Sequence, residues 1–120
     1  MCILVVEDDE VLGQVILRRL KRLGLRADLA ACGKEAVEKF KHAPYGLVFM
    51  DIGLPDIDGL QATKQMKKIE QSVPIIAITA GHSCREDCLA AGMSGYYMKP
   101  VLFDEMAAIL RDYNIDRCPS

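Results

Sequence analysis

The sequence predicts an α/β fold in which a parallel sheet carries helices on both faces. Short and almost wholly apolar runs recur along the chain, as expected for strands that are buried on both faces. Segments with hydrophobic residues at helical spacing separate these runs, so that strand and helix alternate five times. No repeat and no linker interrupts this alternation, so residues 1–120 are expected to form one domain.

The first half of the chain contains two strand–helix units. Its predicted elements are a strand at 2–6, a helix that begins after Asp9 and ends at Gly24, an edge strand at 25–31 and a helix that opens at Gly33. Asp9 can accept hydrogen bonds from the first helical turn, and Gly24 suits the left-handed residue that often ends a helix. Pro44 and Gly46 are expected to separate the second helix from the central strand.

The second half repeats the pattern around a central strand. Its predicted strands are at 47–50, ending on Asp51, at 73–80 and at 94–98. A helix from Gly59 to about 70 follows the first of these strands, and a helix capped by Ser83 and Glu86 and ended by Gly92 follows the second. The last helix buries Leu102, Met106, Ile109, Leu110 and Tyr113. The tail at 114–120 is expected to be frayed.

Composition argues against several classes of protein. The net charge of −2 predicts no general attraction to nucleic acid or to an anionic membrane. No apolar run approaches the roughly 20 residues that span a bilayer, and no basic region precedes the first apolar run. The odd number of irregularly spaced cysteines predicts neither a disulfide framework nor a zinc site, and favours a cytoplasmic location. These cysteines are Cys2, Cys32, Cys84, Cys88 and Cys118.

Polar side chains stand where four of the predicted strands end. They are Glu7 with Asp8, Asp51, Thr79 and Lys99. The carboxyl ends of parallel strands lie at one edge of a sheet, which is where open α/β sheets place their ligands. Three carboxylates gathered there repel one another and need a cation, and oxygen ligands favour Mg²⁺. An acid nucleophile, Mg²⁺, a lysine and a hydroxyl together predict a site at which Asp51 attacks a phosphoryl group.

Four ordered motifs carry a resemblance to a known family. VVEDD, FMDIGLPDIDG, ITA and GYYMKP closely resemble the receiver domain of two-component response regulators, over about residues 2–113. The segment CLAAGMSGYYMKPV is most similar to the receivers of hybrid sensor histidine kinases. The resemblance implies a flavodoxin-like, doubly wound sheet of five parallel strands in the order 2-1-3-4-5, with five helices.

The resemblance also implies a role for individual residues. Asp51 matches the phosphorylated aspartate, and Mg²⁺, for which Mn²⁺ can substitute, would be held by Asp8 and Asp51, by Glu7 through water and by the backbone carbonyl of Gly53. Three further matches are the switch hydroxyl Thr79, the inward-swinging aromatic Tyr96, and the active-site lysine Lys99 with a cis bond to Pro100. Gly53 and Gly81 match the positions whose side chains flank the path of the hydrolytic water. With glycine at both, the phosphoryl group on Asp51 is expected to be hydrolysed at a rate in the middle of the family's range.

The implied partners follow from the same resemblance. A histidine kinase or a histidine phosphotransfer protein would be the donor, the output partner stays open, and the chain is expected to be a monomer and not a stand-alone enzyme. It could be a separate regulator or part of a longer hybrid kinase.

Three alternatives share parts of the pattern. A receiver-like interaction module could work without phosphorylation. An aspartyl phosphatase of the haloacid-dehalogenase type would need a second aspartate where Gly53 stands. A flavodoxin-type cofactor binder would need a phosphate-cradling loop after the first strand, where Glu7, Asp8 and Asp9 would repel a phosphate.

Overall fold

The protein folds around one five-stranded parallel sheet. The structure, a computed structural model, describes residues 2–52, 59–79, 85–99 and 103–113. Its strands are β1 (Cys2–Val6), β2 (Ala27–Ala30), β3 (Tyr45–Asp51), β4 (Ile75–Thr79) and β5 (Gly95–Met98), and its helices are α1 (Glu10–Arg22), α2 (Gly33–His42), α3 (Gly59–Ile69), α4 (Arg85–Ala90) and α5 (Phe103–Asp112). The strand order β2-β1-β3-β4-β5 confirms the predicted flavodoxin-like fold.

The sheet separates two hydrophobic cores, and this explains why its strands are apolar on both faces. Along β1, Leu4 and Val6 join a core that α2, α3 and α4 cover. The alternate residues Ile3 and Val5 join a second core, under α1 and α5. All seven residues of β3 are buried, as befits the central strand of a doubly covered sheet. No helix among the described residues is long and apolar enough to cross a membrane.

The helix ends agree with most of the predicted signals. Asp9 is the N-cap of α1, and its carboxylate accepts a hydrogen bond from the Leu12 N–H at 3.2 Å. Cys32 precedes α2 and makes no such bond. Glu35 instead accepts a hydrogen bond from the N–H of Ala31 at 2.7 Å, which ties the chain to the first turn of α2.

Several predicted strand boundaries were wrong. β4 begins at Ile75 and not at Val73, and β5 begins at Gly95 and not at Ser94. The central strand begins at Tyr45, so Gly46 lies within it and does not separate it from α2. Burial of Tyr45 is possible because its hydroxyl donates a hydrogen bond to Asp28 Oδ2 at 2.7 Å. The edge strand begins at Ala27 and not at Leu25, whose N–H donates to Leu20 O at 3.0 Å and closes the end of α1.

Several predictions concern residues that the structure does not describe. The capping role of Ser83, the inward position of Leu102, the frayed tail at 114–120, the carbonyl of Gly53, the glycine at 81 and the cis bond to Pro100 all lie outside the described residues.

Candidate functional site

The order and register of the strands place the predicted site residues at one edge of the sheet. Val6, which precedes Glu7, pairs with Met50, which precedes Asp51. Thr79 is the last residue of β4 and pairs with Met98, directly before Lys99. The Lys99 N–H also donates to Thr79 O at 2.7 Å, so the ends of β4 and β5 stay together.

Three carboxylates meet at this edge. One oxygen from each of Glu7, Asp8 and Asp51 lies within 4.8 Å of the other two. Glu7 and Asp51 are 2% and 5% exposed, whereas Asp8 is exposed to solvent. This donor set fits a hard divalent cation that keeps some of its water on the open side, as Mg²⁺ does. Gly53, the predicted carbonyl ligand, lies outside the described residues.

Lys99 joins two of these acids. Its Nζ lies 2.9 Å from Glu7 Oε1 and 3.1 Å from Asp51 Oδ2, and its side chain is only 20% exposed. The sequence predicts Lys99 near the cluster, and the family resemblance implies that Glu7 holds the metal through water. The sequence does not predict the shorter ion pair, between Lys99 and Glu7. Because both acids are nearly buried, this shared cation offsets a large part of their repulsion.

Burial changes the proton affinity of the cluster. It raises the pKa of Glu7 to about 7, and the hydrogen bond from Lys99 lowers this pKa only in part, while the neighbouring Asp51 raises it. Burial alone would lower the pKa of Lys99, but its contacts with Glu7 and Asp51 outweigh burial and raise it. The lysine therefore stays charged, and Glu7 is the group of this pair that exchanges a proton near neutral pH.

The metal-free protein is expected to lose stability as the pH rises from 4.5 to about 7. Across this window folded Glu7 holds a proton that the unfolded chain has lost, so the free energy of unfolding falls with pH, by about 3 kcal/mol at most. Denaturant titrations in EDTA at several pH values measure this slope. Asp51→Asn removes a charge that raises the pKa of Glu7, so this variant should be more stable above about pH 7 and less sensitive to pH. A free energy of unfolding that rises across the window would contradict this assignment.

Thr79 and Tyr96 lie on the same face of the sheet. Tyr96 is half-buried, pairs with Ala77 and packs against the core under α2, α3 and α4. Ala77 belongs to that core, and Thr79, two residues later, points to the same side. Thr79 is 3% exposed. The hydroxyl at the end of β4 and the aromatic ring on β5 therefore lie on the same face of two adjacent strands.

Comparison with known proteins identifies the family. The chain matches the response regulator receiver domain over residues 3–111. It belongs to this family. The receiver domain of a sensor histidine kinase from Pseudomonas aeruginosa PAO1, solved with a magnesium ion coordinated in its active-site cleft, superimposes with a TM-score of 0.86 and 41% identity, over 92% of this chain and 94% of that one. The response regulator TrrA from Thermotoga maritima, solved in complex with Mg²⁺–BeF, superimposes with a TM-score of 0.86 and 32% identity. The match covers 94% of this chain and 99% of that one.

Similar sequences are receiver domains within larger signalling proteins. The osmosensing histidine protein kinase SLN1 of Saccharomyces cerevisiae is 37% identical over 120 residues, which cover 92% of this receiver domain and 10% of the kinase. The signal transduction histidine-protein kinase BarA of Escherichia coli K12 is 32% identical over 117 residues, 94% of this domain and 13% of that protein. The chain thus spans about a tenth of the length of these relatives.

Proposed function

We propose that this receiver domain accepts a phosphoryl group on Asp51 in a reaction that requires Mg²⁺. The observation that carries the proposal is the meeting of three acids and Lys99 at the open edge of the sheet. An oxygen of Asp51 would form a bond to phosphorus while the bond from phosphorus to the donor nitrogen or oxygen breaks. A histidine kinase or a histidine phosphotransfer protein is the proposed donor, in keeping with the histidine kinases among its relatives.

The residues of the site have distinct proposed tasks. Asp8, Asp51 and water held by Glu7 would bind the metal, which neutralises charge on the phosphoryl oxygens when present. Lys99, which contacts Asp51 Oδ2, would stay beside those oxygens as charge develops on them. Asp51 is only 5% exposed, which would restrict the approach of the donor and of water. Gly53 is proposed to contribute its carbonyl, as in the family.

The same site would act as a switch. A phosphoryl group on Asp51 brings acceptor oxygens to the end of β3, next to β4, and the Thr79 hydroxyl is proposed to move toward them. Tyr96, on the same face of the sheet, would then move toward the space that Thr79 leaves. Such a switch works only if the two arrangements bind the phosphoryl group differently. The output partner that reads this change, the monomeric state and the cytoplasmic location stay predictions.

Phosphorylation of the purified protein tests the function. Acetyl phosphate with Mg²⁺ should add one phosphoryl group, visible by intact mass spectrometry, and EDTA should prevent the addition. Asp51→Asn should not be labelled. Asp9→Asn is the matched control, because it also removes one negative charge close to the site but keeps an oxygen that can cap α1. Labelling of Asp51→Asn at the wild-type rate would refute the assignment.

A further inference from the structure

One buried hydroxyl has no part in the proposed chemistry. The buried polar or charged side chains among the described residues are Glu7, Asp51, Thr63 and Thr79. Three of them belong to the site at the edge of the sheet. Thr63 lies in α3 and is completely buried. A hydroxyl in a hydrophobic core lowers stability unless it is hydrogen-bonded, so its partner indicates what it does there.

The partner of Thr63 is the first residue of its own helix. Thr63 Oγ1 donates a hydrogen bond to Gly59 O at 2.7 Å. This bond spans one turn of α3 and restrains the turn at the end nearest the site. It also adds a restraint at a glycine, where the backbone would otherwise be the least constrained.

Gly59 in turn touches the backbone that carries the phosphoacceptor. Its N–H donates to Ile52 O at 3.0 Å. A Cβ atom on Gly59 would stand 2.5 Å from Asp51 O and 2.9 Å from the Cα of Ile52. Both distances are shorter than real Cβ contacts, and both atoms belong to the backbone, which cannot turn aside as a flexible side chain can. The first residue of α3 therefore lies too close to the backbone of Asp51 and Ile52 for any residue but glycine.

The peptide groups after Asp51 are held from two sides. The Ile52 N–H donates to Ile78 O of β4 at 3.3 Å, and the Ile52 carbonyl accepts from Gly59 of α3. Asp51 thus sits where β4 and the start of α3 meet, and the hydroxyl of Thr63 is hydrogen-bonded to one of these two supports.

We infer that Thr63, acting through Gly59, is a positioning residue for phosphoryl transfer to Asp51. The inference rests on the proposed function. Transfer needs an Asp51 oxygen aligned with the incoming phosphorus while Lys99 and the acids keep their places. Lys99 Nζ already lies 3.1 Å from Asp51 Oδ2, so a small shift of the β3 end would weaken this contact. Displacements of about 1 Å can lower such rates by about a hundredfold, and a loosened helix turn should produce part of that loss.

Valine in place of Thr63 provides the main test, because it keeps the shape and removes the hydroxyl. At saturating Mg²⁺ and acetyl phosphate, Thr63→Val is expected to be phosphorylated about tenfold more slowly than wild type. Thr63→Ser keeps the hydroxyl and should stay within about twofold of the wild-type rate. Should Thr63→Val fail to fold, Thr63→Ala removes the same hydroxyl with a residue that favours helices.

Met66→Ala is the matched control for loss of stability. Met66 is fully buried one turn further along α3 and belongs to the same core, but the described contacts do not link it to Gly59. This variant should unfold at lower denaturant concentration than Thr63→Val and still accept phosphate at the wild-type rate. A slow rate in Thr63→Val that Thr63→Ser restores, with Met66→Ala unaffected, would support the inference.

Other outcomes would overturn one proposal or the other. The positioning role would be overturned if Thr63→Val were labelled as fast as wild type, or if Thr63→Ser were as slow as Thr63→Val. Either result would leave the proposed function standing. Equal slowing in Met66→Ala would show that only helix stability matters, which also overturns the role. A wild-type protein that takes up no phosphoryl group at Asp51 would instead overturn the proposed function.

Discussion

Replacing Lys99 with methionine is expected to slow phosphorylation of Asp51 by about a hundredfold or more, because the cation that contacts Asp51 Oδ2 is lost. The same change leaves Glu7 and Asp51 nearly buried without the cation that they share. The metal-free variant should therefore be about 3 kcal/mol less stable than wild type above pH ~7, and less affected at lower pH, where Glu7 takes up a proton. Phosphorylation rates and denaturant midpoints measure the two effects.

Measuring Mg²⁺ binding shows whether Lys99 acts in phosphoryl transfer or mainly shapes the metal site. Lys99→Met should bind Mg²⁺ at least as tightly as wild type, because a positive charge next to the metal site is gone. Added Mg²⁺ should restore much of the lost stability, since the ion replaces the missing cation. Calorimetric titration with Mg²⁺ and denaturation with and without it test these expectations. Much weaker Mg²⁺ binding in the variant would mean that Lys99 mainly shapes the metal site.

Lys67→Met is the matched control. Lys67 is also a half-buried lysine, with its pKa lowered by burial, and its Nζ donates to the carbonyls of Gln71 and Val73 at 3.1 and 2.8 Å. Its removal should lower stability, since two carbonyls lose their donor, but should leave the phosphorylation rate unchanged. Labelling of Lys99→Met as fast as Lys67→Met would contradict the role assigned to Lys99.

Asp8→Ala is expected to weaken Mg²⁺ binding by a factor on the order of 100, and phosphorylation at limiting Mg²⁺ should fall in proportion. Loss of a residue that only supports a metal ligand costs about 10- to 100-fold in affinity, and loss of a charged ligand should cost at least as much. Asp8 is the exposed member of the three-acid cluster, so its removal should change folding stability little. Titration with Mg²⁺, followed by amide chemical shifts, gives the affinity.

The neighbouring aspartate shows whether this effect is specific. Asp9 accepts a hydrogen bond from the Leu12 N–H and is the N-cap of α1, with its carboxylate outside the three-acid cluster. Asp9→Asn should retain Mg²⁺ affinity within a few-fold of wild type, as only long-range charge is lost. Equal losses in Asp8→Ala and Asp9→Asn would show that the wrong acid has been assigned to the metal.

The fold could be predicted largely from local patterns. The apolar run at β1 and the one within β3 are continuous because helices cover both faces of the sheet, so the same burial that stabilises the strands makes them recognisable. One error arose where a distant contact decided the outcome. Tyr45 could join β3 because Asp28, 17 residues away, accepts its hydroxyl hydrogen bond, and no local pattern shows this.

The candidate site could be predicted in composition but not in its internal contacts. Acids and a lysine at strand ends indicate a shared edge, because parallel strands bring their carboxyl ends together. Which acid lies closest to Lys99 depends on the side-chain conformations of residues 7, 51 and 99. In the structure Glu7 is the closer of the two acids that contact the Lys99 Nζ. The roles assigned to these residues stay predictions until the variants are measured.

By itself the sequence determined the order of elements, the sheet and the family of this receiver domain, because hydrophobic periodicity and short motifs are properties of neighbouring residues. Only the tertiary structure decided that burial raises the pKa of Glu7 to about 7 and that a Cβ atom on Gly59 would collide with Asp51 O. Desolvation of Glu7 depends on atoms that folding brings together from distant parts of the chain, among them those of Asp51 and Lys99, so no local pattern can encode it.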